Sequence, residues 1–396
     1  MAKLNLKLNL LELYGDKVVY SSRPSYEYNP WLQPETHQSN LLTSRELLIA
    51  SPLPVIVHEA TVTDKIKQLF DAVNIDMPNH YLTYETKADY ENVLKTCVEE
   101  GKQLYFQYPH GEGLVPEGSY AVDRQLFLDL NNKTLLSKWT GGKYLPHREV
   151  IEKAKLESVL AQFDYPYVIK PGGEHPTAGG YGVMICYNDE DKHKSLARIH
   201  EDNETELFIV EDYIQADKNY CVQYASDGQT IEYIGASLQI TEKYGKYRGN
   251  EIDHEVPEAI IEAGRNIMQN GVDAGYRGIA GFDLLTDETG AIYAIDLNFR
   301  QNGSTSLLLL EDYLNGDYKN FLAYYSEGDN EAFFNTILEA VKHGILFPLS
   351  YYDGDYKEKN EFPSRFIGIW HGDYKTIEQF KKALEEKIKS GNKEKA

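Results

Sequence analysis

Two rhythms of hydrophobic positions alternate along the first third of the chain. Runs such as "LPVIVHE" and "KQLYFQYP" are short and rich in β-branched and aromatic residues, as strands are. Between them, "VTDKIKQLFDAV" and "KADYENVLKTCVEEG" repeat apolar residues every three to four positions, as amphipathic helices do. Strand and helix in turn predict α/β layers. The start, "MAKLNLKLNLLELYG", alternates Leu with Lys or Asn, which predicts a strand and lacks the unbroken apolar region of a signal peptide. From "NNKTLLSKW" onward the texture changes to strands joined by glycine-rich and acidic loops. After Asn320 helices return, with an aromatic strand "FPSRFIGIWHG" and a last helix "TIEQFKKALEEKIKSG" whose Thr376 and Gln379 have capping-box spacing. These shifts predict an α/β fold in three parts. Residues 1–130 form a leading α/β domain, 131–320 a central region (131–210 and 211–320), and 321–396 an extension packed on it.

Composition narrows the function. With 396 residues, 42% hydrophobic and 26% charged, the chain is long enough for two or three domains with cores of their own. Lys and Arg total 40 against 62 Asp and Glu, and the net charge of −22 repels nucleic acid and anionic membrane. No run reaches transmembrane length, so neither class of partner is expected. Cys97, Cys186 and Cys221 are an odd number without CxxC or Cys/His spacing, which argues against a disulfide framework or a zinc site and favours a reducing cytoplasm. A homodimer stays open. The lone GxG of "HGEGLVPEG" does not open a helix after a strand, so no dinucleotide site is expected there. The 31 tyrosines read as surface and packing residues.

Three stretches carry candidate chemistry. In "YPYVIKPGGEHPTAGGYGVMICY" an apolar strand delivers Lys170, and a loop with Gly172, Gly173, Gly179, Gly180 and Gly182 follows before the strand "VMICY". Glycines let backbone N–H groups turn inward around phosphate oxygens, and a lysine beside them adds a point charge. This is not a Walker A loop, because it lies between strands. The plain alternative is a glycine-rich hairpin with a surface lysine. In "ELFIVEDYIQADKNYCVQY" a strand, a turn and a second strand place Glu211 at the end of the first and Asn219 at the start of the second. In "IYAIDLNFRQNGST" Ile295, Leu297 and Phe299 alternate toward one face, leaving Asp296, Asn298 and Arg300 on the other. Asp283 in "GFDLL" lies on a strand that the "TDETG" turn pairs with this one. Carboxylate and amide oxygens one pleat apart suit magnesium, and a cation beyond them suits the charge that builds up at a transferring phosphate. The alternative is an exposed polar strand face.

The order of Lys133 in "NNK", Lys170 in "VIKP", the glycine loop, Glu211 in "VEDYI", Asp283 in "GFDLL" and Asp296, Asn298 and Arg300 in "IDLNFR" resembles the ATP-grasp superfamily, across residues 130 to 310. The resemblance implies an ATP-grasp fold of the α+β kind in the central region, with ATP and Mg2+ (or Mn2+) as cofactors. It gives Lys133 and Lys170 to the ATP phosphates, with the loop from Gly172 to Gly182 closing over them. It gives Glu211 and the backbone through Tyr213 and Ile214 to the adenine. Asn219 falls to the ribose, with Asp217 and Lys218 as rivals. Metal ligation falls to Asp283, Asp296 and Asn298, and the reacting carboxylate or its phosphorylated form to Arg300. The family most often has Glu where this chain has Asp296, which leaves the number of metal ions open. The loop "ITEKYGKYRGNEIDHEVPEAI" corresponds to one that borders the acceptor, making Arg248 and His254 substrate candidates, or else solvated loop residues. Pro257 is placed at the first turn of the following helix. The implied activity is that of a carboxylate–amine ligase acting on small amino-acid or peptide-like partners. An acyl phosphate is formed, and ADP and phosphate are released. Other ATP-grasp phosphoryl transfer, carboxylation, or an inactive ATP-binding regulator are the alternatives.

Overall fold

Four short apolar strands, β1 (Val18–Ser21), β2 (Val55–His58), β3 (Tyr81–Tyr84) and β4 (Gln103–Phe106), pair in parallel in the order β3-β2-β1-β4. Parallel neighbours need crossovers, and the helices Asp64–Ala72 and Lys87–Glu99 supply two of them where the 3.6-residue rhythm predicts. The structure, a computed structural model, describes residues 4, 6–27, 29, 31, 36–108, 110–174, 180–241, 244–252, 255–359 and 361–390.

Two antiparallel sheets follow. The strands β5 (Arg148–Glu152), β6 (Tyr167–Pro171), β7 (Met184–Cys186) and β8 (Leu207–Asp212) form one in the order β5-β8-β6-β7. The larger contains β9 (Lys218–Ser226), β10 (Ile231–Thr241), β11 (Tyr247–Ile252), β12 (Gly278–Thr286) and β13 (Ile292–Asn298), then β14 (Tyr318–Tyr325), β15 (Leu346–Tyr352) and β16 (Arg365–Gly372). Its order is β13-β12-β9-β10-β11-β14-β16-β15, so the C-terminal strands extend the same hydrogen-bonded sheet. The strand–turn–strand around Glu211 is also more than a hairpin: β8 and β9 lie in different sheets, and the connection between them crosses from one to the other.

A tyrosine seam joins the parallel sheet to the large one. Tyr20 and Tyr105 stack at 5.4 Å between ring centres, and the Tyr105 and Tyr276 hydroxyls lie 3.1 Å apart, all buried. Many of the tyrosines read as packing residues are thus core. The small sheet has its own apolar core, into which Trp31 of the N-terminal segment inserts, fully buried.

Three local expectations change. Leu10–Tyr14 is a short helix and not part of a strand; Asn9 caps it by accepting from the Leu11 N–H, and Leu10, Leu13 and Tyr14 bury their side chains. Alternation of Leu with polar residues can serve an irregular segment laid on a core as well as a strand, and Leu4, Leu6 and Leu8 do pack that way. The last helix, Tyr374–Ser390, is capped by Asp373, which accepts from the Thr376 N–H and hydroxyl, so Thr376 is not the cap. Pro257 stands just before its helix, Glu258–Asp273, as the N-cap. No helix among the described residues is long and apolar enough to cross a membrane.

Candidate functional site

The site is built where β13 leaves the large sheet beneath β6 and β8. Asp283 on β12 lies directly opposite Asp296 on β13, and the register slips immediately afterwards, Leu284 pairing with Ala294. Ile295 is therefore a bulge residue. Bulges re-aim side chains next to functional sites, and two consequences follow here. Ala294 takes the core face that simple alternation assigns to Ile295, while Leu297 and Phe299 remain buried. The carbonyl of Ile295 is freed from the ladder and accepts from Lys170 Nζ at 3.0 Å.

Asp296 and the Asn298 amide oxygen each have a cation beside them. Lys133 Nζ is ion-paired with Asp296 Oδ1. The Arg300 Nη2 donates to Asn298 Oδ1 at 2.6 Å, with the guanidinium carbon 5.0 Å from the centre of the Tyr108 ring. Lys170 also pairs with Glu211, and both side chains are under 9% exposed. The two aspartates are driven apart electrostatically. Burial, with the Asp296 charge opposite, raises the Asp283 carboxyl to about 7. Burial also opposes ionisation of Asp296, but Lys133 beside it, with Lys170 and Arg300 farther off, holds it below the usual carboxylate range.

The glycine loop is fixed at both ends. The Gly172 N–H donates to Leu207 O at 2.8 Å, and a Cβ there would lie 2.6 Å from Thr134 Cγ2. At Gly180, with φ +76°, a Cβ would come 2.4 Å from the carbonyl oxygen of Gly245, so the loop end lies on the 244–246 turn. Gly173 has φ +97° and open space beside it. Gly179 and His254 lie outside the described residues. Tyr213 and the half-buried Ile214 occupy the crossover after β8, with the Tyr213 ring 5.6 Å from Tyr187, and Tyr187 lies 5.9 Å from Tyr244. Asn219 Nδ2 donates to Gln239 Oε1 at 3.3 Å. The Asp217 N–H donates to Thr286 O at 2.7 Å, and Lys218 Nζ lies 5.6 Å from the centre of the Tyr220 ring. Arg248, on β11, is exposed.

The fold therefore gathers Lys133, Lys170, Glu211, Asp283, Asp296, Asn298 and Arg300 into one charged cluster. It also adds residues that the sequence left unmarked. Arg148 at the start of β5 is nearly buried; its Nη2 donates to Lys133 O at 3.0 Å and its Nε lies 3.7 Å from Glu211 Oε2. The one signal for it is an arginine opening the short strand "REVIE". Gln223, Asn302, Ser304 and Thr305 form a largely buried network behind the bulge: Gln223 Nε2 donates to Asn302 Oδ1 at 2.8 Å, and Gln223 Oε1 accepts from the Thr305 hydroxyl at 2.8 Å. The polar run "RQNGST" straight after a buried strand marks it.

Asp283 Oδ1 is buried with no hydrogen-bond partner. An orphaned carboxylate oxygen facing Asp296, with the Asn298 amide one pleat on, is a hard-oxygen donor set that fits a magnesium ion. Among the described residues no group of three or more His, Cys, Asp or Glu side chains could hold a metal by itself.

Comparison with known proteins matches the chain to three domain models of one family. They are the L-aspartate–L-methionine ligase N-terminal domain over residues 9–128, its ATP-grasp domain over 146–298 and its C-terminal domain over 312–389. Similar solved structures include a carboxyaminoimidazole ribonucleotide synthase from Aspergillus clavatus complexed with ATP (TM-score 0.61, 14% identity, covering 95% of this chain and 99% of that one). Another is an N5-carboxyaminoimidazole synthetase from Staphylococcus aureus complexed with ADP (0.59, 12%, 97% and 100%). A third is an L-amino acid ligase from Bacillus licheniformis (0.54, 13%, 93% and 96%). At these identities the likeness is one of fold.

Proposed function

Since the chain belongs to the ATP-grasp superfamily, in its carboxylate–amine ligase branch, we propose that it joins L-aspartate to L-methionine through an amide bond at the expense of ATP. The family match supports the substrate pair, and the observation that carries the ATP-dependent ligase chemistry is the paired-charge face of β13. Lys133, Lys170 and Arg300 converge on the strand that bears Asp296 and Asn298, with Asp283 opposite.

Lys133 and Lys170 take the nucleotide phosphates, exchanging their present carboxylate partners for phosphate oxygens. The loop from Gly172 to Gly182 closes over the same phosphates. Asp283, Asp296 and Asn298 would hold magnesium, which would supply charge neutralisation at the transferring phosphate. Glu211 acts mainly through Lys170, which it orients, so the adenine is held by the backbone of the crossover through Tyr213 and Ile214, with Asn219 toward the ribose. Arg300 faces the substrate carboxylate. That carboxylate attacks the terminal phosphorus and gives an acyl phosphate and ADP. The amine of the second amino acid then displaces phosphate, with loss of its proton, and the amide forms. No side chain serves as a covalent nucleophile; the chain contributes position and preorganised charge.

The test is incubation of the protein with L-aspartate, L-methionine and MgATP, followed by mass spectrometry of the products. One dipeptide, one ADP and one phosphate per turnover are expected. AMP and pyrophosphate would overturn the acyl-phosphate route, and ADP formation with a different amino-acid pair from a pooled mixture would overturn the substrate assignment alone.

A further inference from the structure

A second cationic centre lies at the carboxyl end of β1, outside the groups that serve the nucleotide. Arg23 follows β1 by two residues and is 2% exposed. Its guanidinium carbon lies 3.1 Å from the centre of the Tyr26 ring, and Nη1 donates to Pro24 O. Nε is buried without a partner, and no carboxylate among the described residues pairs with it. The Tyr26 and Tyr84 hydroxyls also act on the guanidinium as hydrogen-bond partners, and the unpartnered Nε marks the edge at which a carboxylate would be met.

The neighbours are neutral. Burial, with the Arg23 charge, lowers His58 to about 4 and His110 to about 3, and His110 Nε2 lies 3.1 Å from Arg23 O. The Tyr84 hydroxyl donates to Asn40 Oδ1 at 3.0 Å, and Tyr90 shares a 2.8 Å hydrogen bond with Ser21. An unpaired buried cation is costly to keep, so a stability role alone does not account for it.

Its position points the same way. In the order β3-β2-β1-β4 the chain winds one way from β1 to β3 and the other way to β4. Open parallel sheets bind ligands in the crevice at the carboxyl ends of the strands beside such a reversal, and Arg23 after β1 and His110 after β4 flank it. The tip of β4 also reaches the reacting strand: Gln107 Nε2 donates to Gln301 O at 2.9 Å, and Tyr108 lies under Arg300. In the proposed reaction Lys133, Lys170 and the metal ligands serve the nucleotide, and Arg300 serves the reacting carboxylate. The carboxylate that the amine-donating amino acid keeps in the product has no cation among them.

We propose that Arg23 binds that surviving carboxylate and so selects a free amino acid as the amine donor; the assignment rests on the ligase reading above. The probes are L-methionine and L-methioninamide, titrated calorimetrically into the full chain with magnesium and a non-hydrolysable ATP analogue, together with steady-state turnover. The wild type should favour the acid over the amide. Arg23→Met, which keeps an apolar stem against Tyr26, should bind the two alike, with the KM for L-methionine raised about 10- to 100-fold and the KM values for ATP and L-aspartate unchanged. Arg23→Lys should recover part of the preference. Because the substitution removes an uncompensated charge, the ligand-free Arg23→Met protein should melt no lower than the wild type; a purely structural arginine would give a lower melting temperature and overturn the proposal. Normal turnover with undiminished acid-over-amide preference in Arg23→Met overturns it and leaves the ligase reading standing. A wild type without any amino-acid-dependent ADP release overturns both.

Discussion

Asp283 and Asp296, directly opposed across two strands, differ in how they hold a proton, and that difference is measurable. Asp283 has a folded pKa of about 7, above the ordinary carboxylate value, so its share of stability is complete below pH ~4 and is lost as pH rises through 7. Asp296 is depressed, and its share is present above the ordinary value and lost in acid. In the metal-free protein, Asp283→Asn should flatten the decline in melting temperature between pH 4 and 7. In the wild type, MgATP must expel the Asp283 proton. Calorimetry at pH 6 in buffers of unlike ionisation enthalpy should therefore record close to one proton released, falling toward none at pH 8.5 and absent in Asp283→Asn. Proton release that is the same at both pH values would mean that the metal does not engage Asp283.

Neighbouring residues separate binding from chemistry. Arg300→Ala should leave MgATP affinity nearly intact and lower turnover on the order of 10²–10³-fold, whereas Asp296→Asn should weaken magnesium-dependent ATP binding itself. Lys170→Met should cost nucleotide affinity and also stability, because Glu211 would lose its closest cation and keep only Arg148 at 3.7 Å. Breaking a buried pair costs ~3–5 kcal/mol. Adding Glu211→Gln should restore most of the melting temperature and none of the ATP affinity. The sequence made the individual groups legible, since Lys170, Asp296 and Arg300 each sit where an apolar strand makes a charge conspicuous. It could not make the pairs legible, because Lys133 and Asp296 are 163 residues apart and nothing local selects Glu211 for Lys170.

At the level of elements, the 3.6-residue rhythm located the helices Asp64–Ala72 and Lys87–Glu99, each of which buries one face, and runs of β-branched and aromatic residues located the strands β2, β4 and β16, which are buried almost throughout. It failed where the backbone departs from its period. A one-residue bulge at Ile295 shifts the alternation of β13, and strict alternation misassigns the residue whose carbonyl holds Lys170. The glycine loop shows the opposite case, a composition signal with a steric cause. Gly180 combines a left-handed φ with a backbone oxygen where its Cβ would be. Gly180→Ala should therefore lift the loop from the 244–246 turn. The left-handed conformation costs a non-glycine residue ~1–2 kcal/mol, so ATP affinity should fall about tenfold with the melting temperature almost unchanged. An equal loss of stability and affinity would show that the loop end belongs to the core.

Across the whole molecule, the small sheet is joined to the rest by more than its chain connections. Trp31, from the segment that follows β1, is fully buried in the core of that sheet. Its indole N–H donates to Thr205 Oγ1 at 2.8 Å, the Phe208 ring meets it edge-on at 6.2 Å, and the Arg198 guanidinium lies 4.6 Å from its ring centre. One side chain of the N-terminal segment thus completes the hydrophobic core of the unit that carries Lys170 and the glycine loop. Sequence pattern could not reveal this, because an isolated aromatic in "SYEYNPW" has no periodic partner to mark it as buried. Trp31→Ala should leave a cavity worth ~3–5 kcal/mol, and the loss should be local. Amide hydrogen exchange should accelerate in β5 to β8, while β1 to β4 and the central strands of the large sheet keep their protection. ATP affinity should fall with it, because Lys170 is held by the strands that loosen, although Trp31 is not among the residues assigned to the nucleotide. Uniform acceleration across all three sheets would instead make Trp31 part of one global cooperative unit, and unchanged exchange in β5 to β8 would mean that the small sheet is stable without it.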